Sequence, residues 1–394
     1  MKLATKILNL DTGSHDQIKP ANVPIYQTAT FRQDSATEFG EFDYSRSGNP
    51  TRTAVEKQIA KLETGLRGFC FSSGLAAITA VTRLLVPGDE ILSCDDLYGG
   101  TYRLFSRILT KRGVRVRYAD FGNPELVNSC ITDRTKLVYF ETPTNPLLQI
   151  IDIGRIAEVA KRRKALVCVD NSTMSPYLQR PLELGADIVV HSATKFLCGH
   201  SDVVAGAVVV KGAALAEELY LIQNGEGAGL SPFDSFLLLR GMKTLSLRLD
   251  RQQENAARVA VFLQAHPAVR RVYFPGCGEI AARRVHEAQA SGYGAVLSFG
   301  TGDPELSRKV VESTRLFRIT VSFGGLNSTI SLPSYMSHAS IPSDLRVQKV
   351  IPRDLVRLSI GAEDAGDLID DLKQALETAR SQMNHTNRSL NAIA

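Results

Sequence analysis

From residue 67 to residue 211 short β-rich apolar runs, several closed by polar or glycine-rich residues, recur without any internal sequence repeat. The runs read FCFSSG, EILSCDD, VRVRYAD, KLVYFETP, ALVCVDNS, DIVVHSATK and GAVVVK, interleaved with helical stretches. Strands that alternate with helices pair through crossovers, so the pattern predicts an α/β fold. Its core is a large, mainly parallel seven-stranded sheet with helices on both faces. Ligands of open α/β sheets sit beyond the carboxyl ends of the strands. Five strand ends therefore matter most: SSG (72–74), DDLYGG (95–100), ETPTNP (141–146), VDNSTMSP (169–176) and SATK (192–195).

Around this core the chain divides into three parts. Residues 1–50, ending in FDYSRSGNPTR, lack apolar periodicity and form an N-terminal arm that must lie against something else. Residues 51–242 form the large domain, opening with TAVEKQIAKLETG, a helix closed by a glycine. The run LSPFDSFLLLRGMKTLSLRLDRQQENAARVAVFLQAHP reads as one long helix kinked at Gly241 that links two domains. Residues 243–394 form a smaller α+β domain, with strands at VRRVYFPG, GAVLSFGTG, FRITVSFGG, NSTISLPS and VRLSIG and helices near 305–315 and 365–380. The polar tail SQMNHTNRSLNAIA is expected to fray.

Composition removes several function classes. With 394 residues, 44% apolar and 22% charged, the chain can build a core without staples. The net charge of +5 comes from scattered basic residues, which argues against nucleic-acid binding. The six cysteines lack CxxC spacing and the seven histidines form no HxxxH or HExxH pattern. Neither a disulfide framework nor a metal site is expected. The opening MKLATKILNLDTGSHDQ has no apolar h-region, and no run approaches the ~18 apolar residues of a membrane span. A soluble protein of the reducing cytoplasm is expected.

The strand ends carry more chemistry than turns need. Asp170 closes an apolar strand, where an ionised carboxylate requires a partner or caps its own turn; a protonated ring nitrogen would be such a partner. Lys195 is a candidate amine for imine formation once desolvation lowers its pKa from about 10.4. SSG followed by LAAITAVTRLL is a small-residue turn opening a helix, suited to a phosphate or to simple capping. Ser192 and Thr194 offer hydroxyls to the same anion or to a turn. Tyr98, beside two glycines, is either a packed aromatic or a flat ring stacked on a flat ligand. A carboxylate for a ring nitrogen, an amine for an aldehyde, a phosphate nest and an aromatic stack describe one ligand together: pyridoxal 5′-phosphate.

The motifs YSRSGNPTR, FSSGLAA, DLYGGTYRL, ETPTNP, VDNSTMSP, HSATKFLCGHSDVVAG, LLLRGMKTL and VRLSIGAED, in that order, resemble the Cys/Met-metabolism family of pyridoxal-phosphate enzymes over about residues 22–380. Within it, YQTATF, SPFDSFLLLRG, RQQENA, TVSFGG and MSHASIP look most like the plant-type cystathionine β-lyases. The chain departs from the family at GCGEIAARRVHEAQ, where relatives carry a longer turn. The resemblance implies the aspartate-aminotransferase-like fold (fold type I) and a homotetramer of dimers that share active sites. It implies that Lys195 bonds the cofactor aldehyde, Asp170 holds the pyridinium proton, and Tyr98 stacks on the ring and assists proton traffic. Gly74 and Leu75 backbone, Ser192 and Thr194 would hold the phosphate, with Tyr44 and Arg46 reaching the phosphate of the neighbouring subunit. Arg357, with Ser322 and Asn145, would hold the α-carboxylate of a sulfur amino acid.

The same resemblance bears on the reaction. Many γ-acting relatives resemble AESLGG where this chain has TVSFGG, so Val321 and Phe323 favour β-elimination of cystathionine over γ-lyase or γ-synthase chemistry. Arg103 is a candidate for the distal carboxylate, or the partner of a surface salt bridge. GEGAGL (225–230) has the look of a dinucleotide loop but follows a helical run, LYLIQN, instead of a strand, which makes a nicotinamide enzyme a poor fit.

Overall fold

The structure is a computed structural model that describes residues 1–9, 19–336 and 351–391. The motif MSHASIP beyond Met336 lies outside the described residues. The seven expected strands all form: β1 (Arg67–Phe71), β2 (Glu90–Cys94), β3 (Arg115–Ala119), β4 (Thr135–Glu141), β5 (Leu166–Asp170), β6 (Ile188–Ser192) and β7 (Gly206–Val210). They make one sheet in the order β1-β7-β6-β5-β4-β2-β3. The pairs among β2, β3, β4, β5 and β6 are parallel, and β7 runs antiparallel to both its neighbours. Strands β2, β5, β6 and β7 are buried along almost their whole length, as expected where helices cover both faces.

A second, five-stranded sheet follows from β8 (Arg271–Tyr273), β9 (Val296–Gly300), β10 (Arg318–Ile319), β11 (Thr329–Ser331) and β12 (Leu355–Ser359). Its order is β10-β11-β12-β9-β8, antiparallel except between β10 and β11. FRITVSFGG is strand only at its start. After Ile319 the chain leaves the sheet as a loop in which Ser322 (φ 81°) and Gly324 (φ 86°) take left-handed backbone. A Cβ on Gly324 would stand 2.7 Å from Phe196 N, so glycine lets this loop press on the turn that carries Lys195.

Other expectations shift for physical reasons. The helix Pro50–Glu63 ends on Thr64 in left-handed backbone (φ 59°), one residue before the glycine. Gly65 serves close approach instead, because a Cβ there would lie 2.2 Å from Val209 Cγ1. The long helical run is two helices, Pro232–Met242 and Leu245–Ala265, and the break falls at Lys243 and Thr244 instead of a kink at Gly241. Gly241 is where the first helix meets the loop after Lys195, since a Cβ would lie 2.2 Å from Cys198 O. GEGAGL is the end of the helix Ala213–Glu226, closed by Gly227 at φ 76°. The tail does not fray at residue 380, because the last helix runs from Ala365 to Asn391.

The arm is mixed. Leu3–Leu8 forms a short helix with Ile7 buried, held by Gln58 Nε2, which donates to Lys6 O and Ile7 O. The stretch around Thr30 and Tyr44 has only an isolated bridge, and Phe39 (68% exposed) and Tyr44 (42%) face outward.

Candidate active site

The carboxyl ends of β1, β4, β5 and β6 and the loop after β10 enclose a cavity of about 360 Å³. Its lining contains Gly74, Leu75, Tyr98, Asn145, Asp170, Ser192, Thr194, Lys195, Val321, Ser322, Phe323 and Arg357. The structure therefore brings together most of the residues expected from the sequence.

Lys195 lies in the turn that closes β6, its N–H donating to Ser192 O and its carbonyl accepting from Gly199 N. Its Nζ donates to Ser322 Oγ at 2.5 Å and stands 5.0 Å from the centre of the Phe323 ring. Burial, together with the nearby Arg357 charge, lowers the amine to a pKa of about 8, against a smaller opposing pull from Asp170. Such an amine is partly neutral near physiological pH and can attack a carbonyl. The turn is braced from behind by buried Arg248, which donates to Phe196 O at 2.9 Å and to Gly241 O at 3.0 Å.

Asp170 ends β5 with one carboxylate oxygen accepting from Ser172 N at 2.9 Å and the other from Tyr139 OH at 3.2 Å. Across the cavity the first helical turn after β1 presents the Gly74 and Leu75 amides. Gly74 has no room for a side chain, because a Cβ would sit 2.9 Å from Ser192 Cβ. Gly206, at the start of β7, is equally constrained by Ser73 O at 2.1 Å. Two glycines thus bring the ends of β1 and β6 close enough to form one cradle. Ser73 caps its helix, accepting from Ala76 N. Thr194 spends its hydroxyl on Ala205, donating to the carbonyl at 3.2 Å and accepting from the amide at 2.9 Å, so its turn-capping role is realised.

Tyr98 is 39% exposed and begins the short helix Gly99–Arg103. Its ring folds back over that turn, where a Cβ on Gly100 would lie 2.3 Å from Tyr98 Cε1. Arg357, on β12, is 2% exposed. It donates to Asn145 Oδ1 at 3.0 Å and to Ser322 O at 2.7 Å, while its Nε has no partner. Burial lowers its pKa to about 10, so it stays charged at neutral pH, and no carboxylate pairs with it among the described residues. A buried, uncompensated guanidinium in a cavity wall is a site for an anion.

Three expected residues lie elsewhere. Tyr44 and Arg46 are exposed on the arm, with Arg46 Cζ 5.2 Å from the Tyr44 ring and Arg46 Nε donating to Asn224 Oδ1. Arg103 is exposed at the end of a helix whose residues Gly99–Tyr102 are buried, so it does not line the cavity of its own chain.

Sequence reasoning passed over two supports. Glu141 ends β4 as Asp170 ends β5, a lone acid closing the apolar run KLVYFE, and that signal was available. Behind the sheet, His191 Nε2 and Glu63 Oε1 stand 2.7 Å apart, and Asn171 Nδ2 donates to the same oxygen at 2.9 Å. His191 and Asn171 adjoin Ser192 and Asp170 in sequence, but nothing in LETG marks Glu63 as their partner.

The residues present fit pyridoxal phosphate: an anion cradle that a Cβ would fill, a depressed amine, a strand-end carboxylate and an aromatic ring at the edge. This is a pyridoxal-phosphate site on the fold type I scaffold. Residues 4–377 match the model of the Cys/Met metabolism PLP-dependent enzymes, and the chain belongs to that family. It is 52% identical over 376 residues to the chloroplastic cystathionine beta-lyase of Arabidopsis thaliana, covering 95% of this chain and 81% of that one. It is 45% identical to the cystathionine gamma-lyase of Bacillus subtilis, covering 96% of this chain and 100% of that one. A solved structure, cystathionine gamma-lyase from Lactobacillus plantarum complexed with L-serine, superposes with a TM-score of 0.94 at 42% identity, covering 96% of this chain and 100% of that chain.

Proposed function

We propose that this enzyme is a carbon–sulfur lyase that splits L-cystathionine by β-elimination into homocysteine, pyruvate and ammonia. The observation that carries the reading is the Arg357 guanidinium, buried without a carboxylate and sharing a cavity with the Lys195 amine. That pairing suits an α-amino acid, whose carboxylate Arg357 would grip as a planar fork while Asn145 and Ser322 hold the guanidinium in place.

Bound pyridoxal phosphate supplies the sink for the electron pair left at the substrate Cα. Asp170 would keep a proton on the ring nitrogen, and Tyr98, at the cavity edge, would pack against the cofactor and assist proton traffic. Gly74, Leu75 and Ser192 would hold the phosphate. Thr194 joins them if its hydroxyl turns from Ala205. Lys195 Nζ, freed of its bond to the cofactor when the substrate amine takes its place, would take the Cα proton as general base. The Cβ–S bond then breaks, the sulfur leaves as homocysteine thiolate, and the three-carbon fragment takes up water to give pyruvate and ammonia.

The choice of β over γ rests on the rim. Val321 is 54% exposed and lines the cavity, and Phe323 packs against both Lys195 and Arg357. An apolar rim offers no carboxylate to a distal amine. The γ-lyase reading is favoured by the likeness to the Bacillus subtilis and Lactobacillus plantarum proteins. Incubation with L-cystathionine separates them. Pyruvate with homocysteine is expected. Formation of 2-oxobutyrate with cysteine would overturn the β assignment, and condensation of an activated homoserine with cysteine would make the enzyme a synthase.

The exposed Tyr44 and Arg46 complete the phosphate site of a neighbouring subunit in this reading, within a homotetramer built from dimers. Mixing inactive Lys195→Ala subunits with weakened Arg46→Ala subunits should restore activity that neither has alone. A mixture no better than its parts would place the arm outside the active site.

A further inference from the structure

Glu141 and Asp170 stand side by side at the carboxyl edge of the sheet, paired in register on β4 and β5. Asp170 has a role in the site, whereas Glu141 has none so far. Glu141 is 5% exposed, and no cation pairs with it among the described ion pairs. Burial and the neighbouring Asp170 push its carboxyl well above the usual carboxylate range. A buried acid beside another acid is an expensive choice where an apolar residue of similar shape would pack as well.

Its hydrogen bonds explain the choice. Oε1 accepts from Asn145 N at 2.8 Å, in the turn after β4, and Oε2 accepts from Tyr98 N at 3.3 Å, in the turn after β2. These two turns carry the ring at the cavity edge and the amide that accepts from Arg357 Nη1. A two-oxygen acceptor is the side chain that can satisfy two backbone donors from separate turns. We propose that Glu141 is a positioning residue whose carboxyl ties the Tyr98 turn to the Asn145 turn, setting the ring and the Arg357 guanidinium in one frame. This holds whichever sulfur amino acid the site takes.

Amide hydrogen exchange on the full-length apoprotein tests the tie without any turnover. In Glu141→Leu, segments 95–101 and 142–149 should lose protection together, exchanging about 10- to 100-fold faster, while amides of β5 and β6 keep theirs. Glu141→Gln keeps the shape and one acceptor oxygen, so only one of the two segments should loosen. In the holoenzyme, titration with L-alanine, which has no leaving group, followed in the visible band should show about tenfold weaker binding in Glu141→Leu. Glu141→Gln should recover part of that loss, and affinity for pyridoxal phosphate should weaken less than affinity for alanine, because the cofactor keeps Asp170 and the Gly74 cradle while losing only the Tyr98 contact. Unaltered exchange in both variants, protection lost evenly across the sheet, or equal weakening of alanine and cofactor would overturn the proposal. If Glu141→Leu does not fold, the one-segment result in Glu141→Gln still decides.

Discussion

The cavity has two walls of different construction. The wall on the large sheet is set by backbone, where Gly74, Gly206 and Gly241 let strand ends, a helix and the Lys195 turn touch at distances no side chain permits. The wall on the smaller domain is set by side chains on strained or buried supports: Ser322 at φ 81° and Arg357 held by a neighbouring amide and a carbonyl. Under the proposed function the first wall would hold the cofactor that stays, and the second the substrate that comes and goes, with the buried Arg357 charge as its grip.

The walls should therefore respond differently to substitution. Arg357→Met removes the uncompensated cation, and kcat/KM for cystathionine should fall by roughly 100-fold or more, while the apoprotein becomes more stable to denaturant. A loss of both activity and stability would mean that Arg357 is a structural pillar, erasing the contrast. Lys195 tests the junction between the walls. Its amine is lowered from 10.5 to about 8 in the folded apoprotein, so below pH 8 the folded state carries the full cost of a protonated, buried amine. From pH 8 towards 10.5 this amine binds more protons in the unfolded chain than in the folded one and should contribute a rise in stability of about 3 kcal/mol, opposed by the buried Cys70, Cys94 and Cys168 thiols, whose raised pKa values work in the other direction. Lys195→Met should abolish that rise in a denaturant titration repeated across pH. A wild-type curve that runs parallel to that of Lys195→Met from pH 8 to 10.5 would show that the amine is not desolvated. Gly74→Ala presses a methyl group against Ser192 and should weaken pyridoxal phosphate by about tenfold, leaving KM for cystathionine nearly unchanged in cofactor-saturated enzyme. An effect on KM alone would reverse the roles assigned to the two walls.

The same contrast decides what the sequence could reveal. Strand-end chemistry at Asp170, Lys195 and SSG was legible because apolar runs in a parallel sheet stop where ligands sit. Arg357 was not legible from its residues. In VRLSIG a period of two would point it to water, yet β12 is buried throughout and that face meets the interdomain cavity. Its role entered only through resemblance to a family. VSFGG read as strand because its residues favour one, while the left-handed backbone at Ser322 and Gly324 is fixed by contact with the Lys195 turn. Glu63 stayed invisible because its partners, His191 and Asn171, are far along the chain and meet it only once the sheet has formed.

The central claim is that the cofactor is bonded to one amine. Borohydride reduction of the holoenzyme followed by peptide mapping tests it directly. The account predicts the added mass of the reduced cofactor on the peptide containing Lys195 and on no other. Label on a different lysine, or on none, would contradict it.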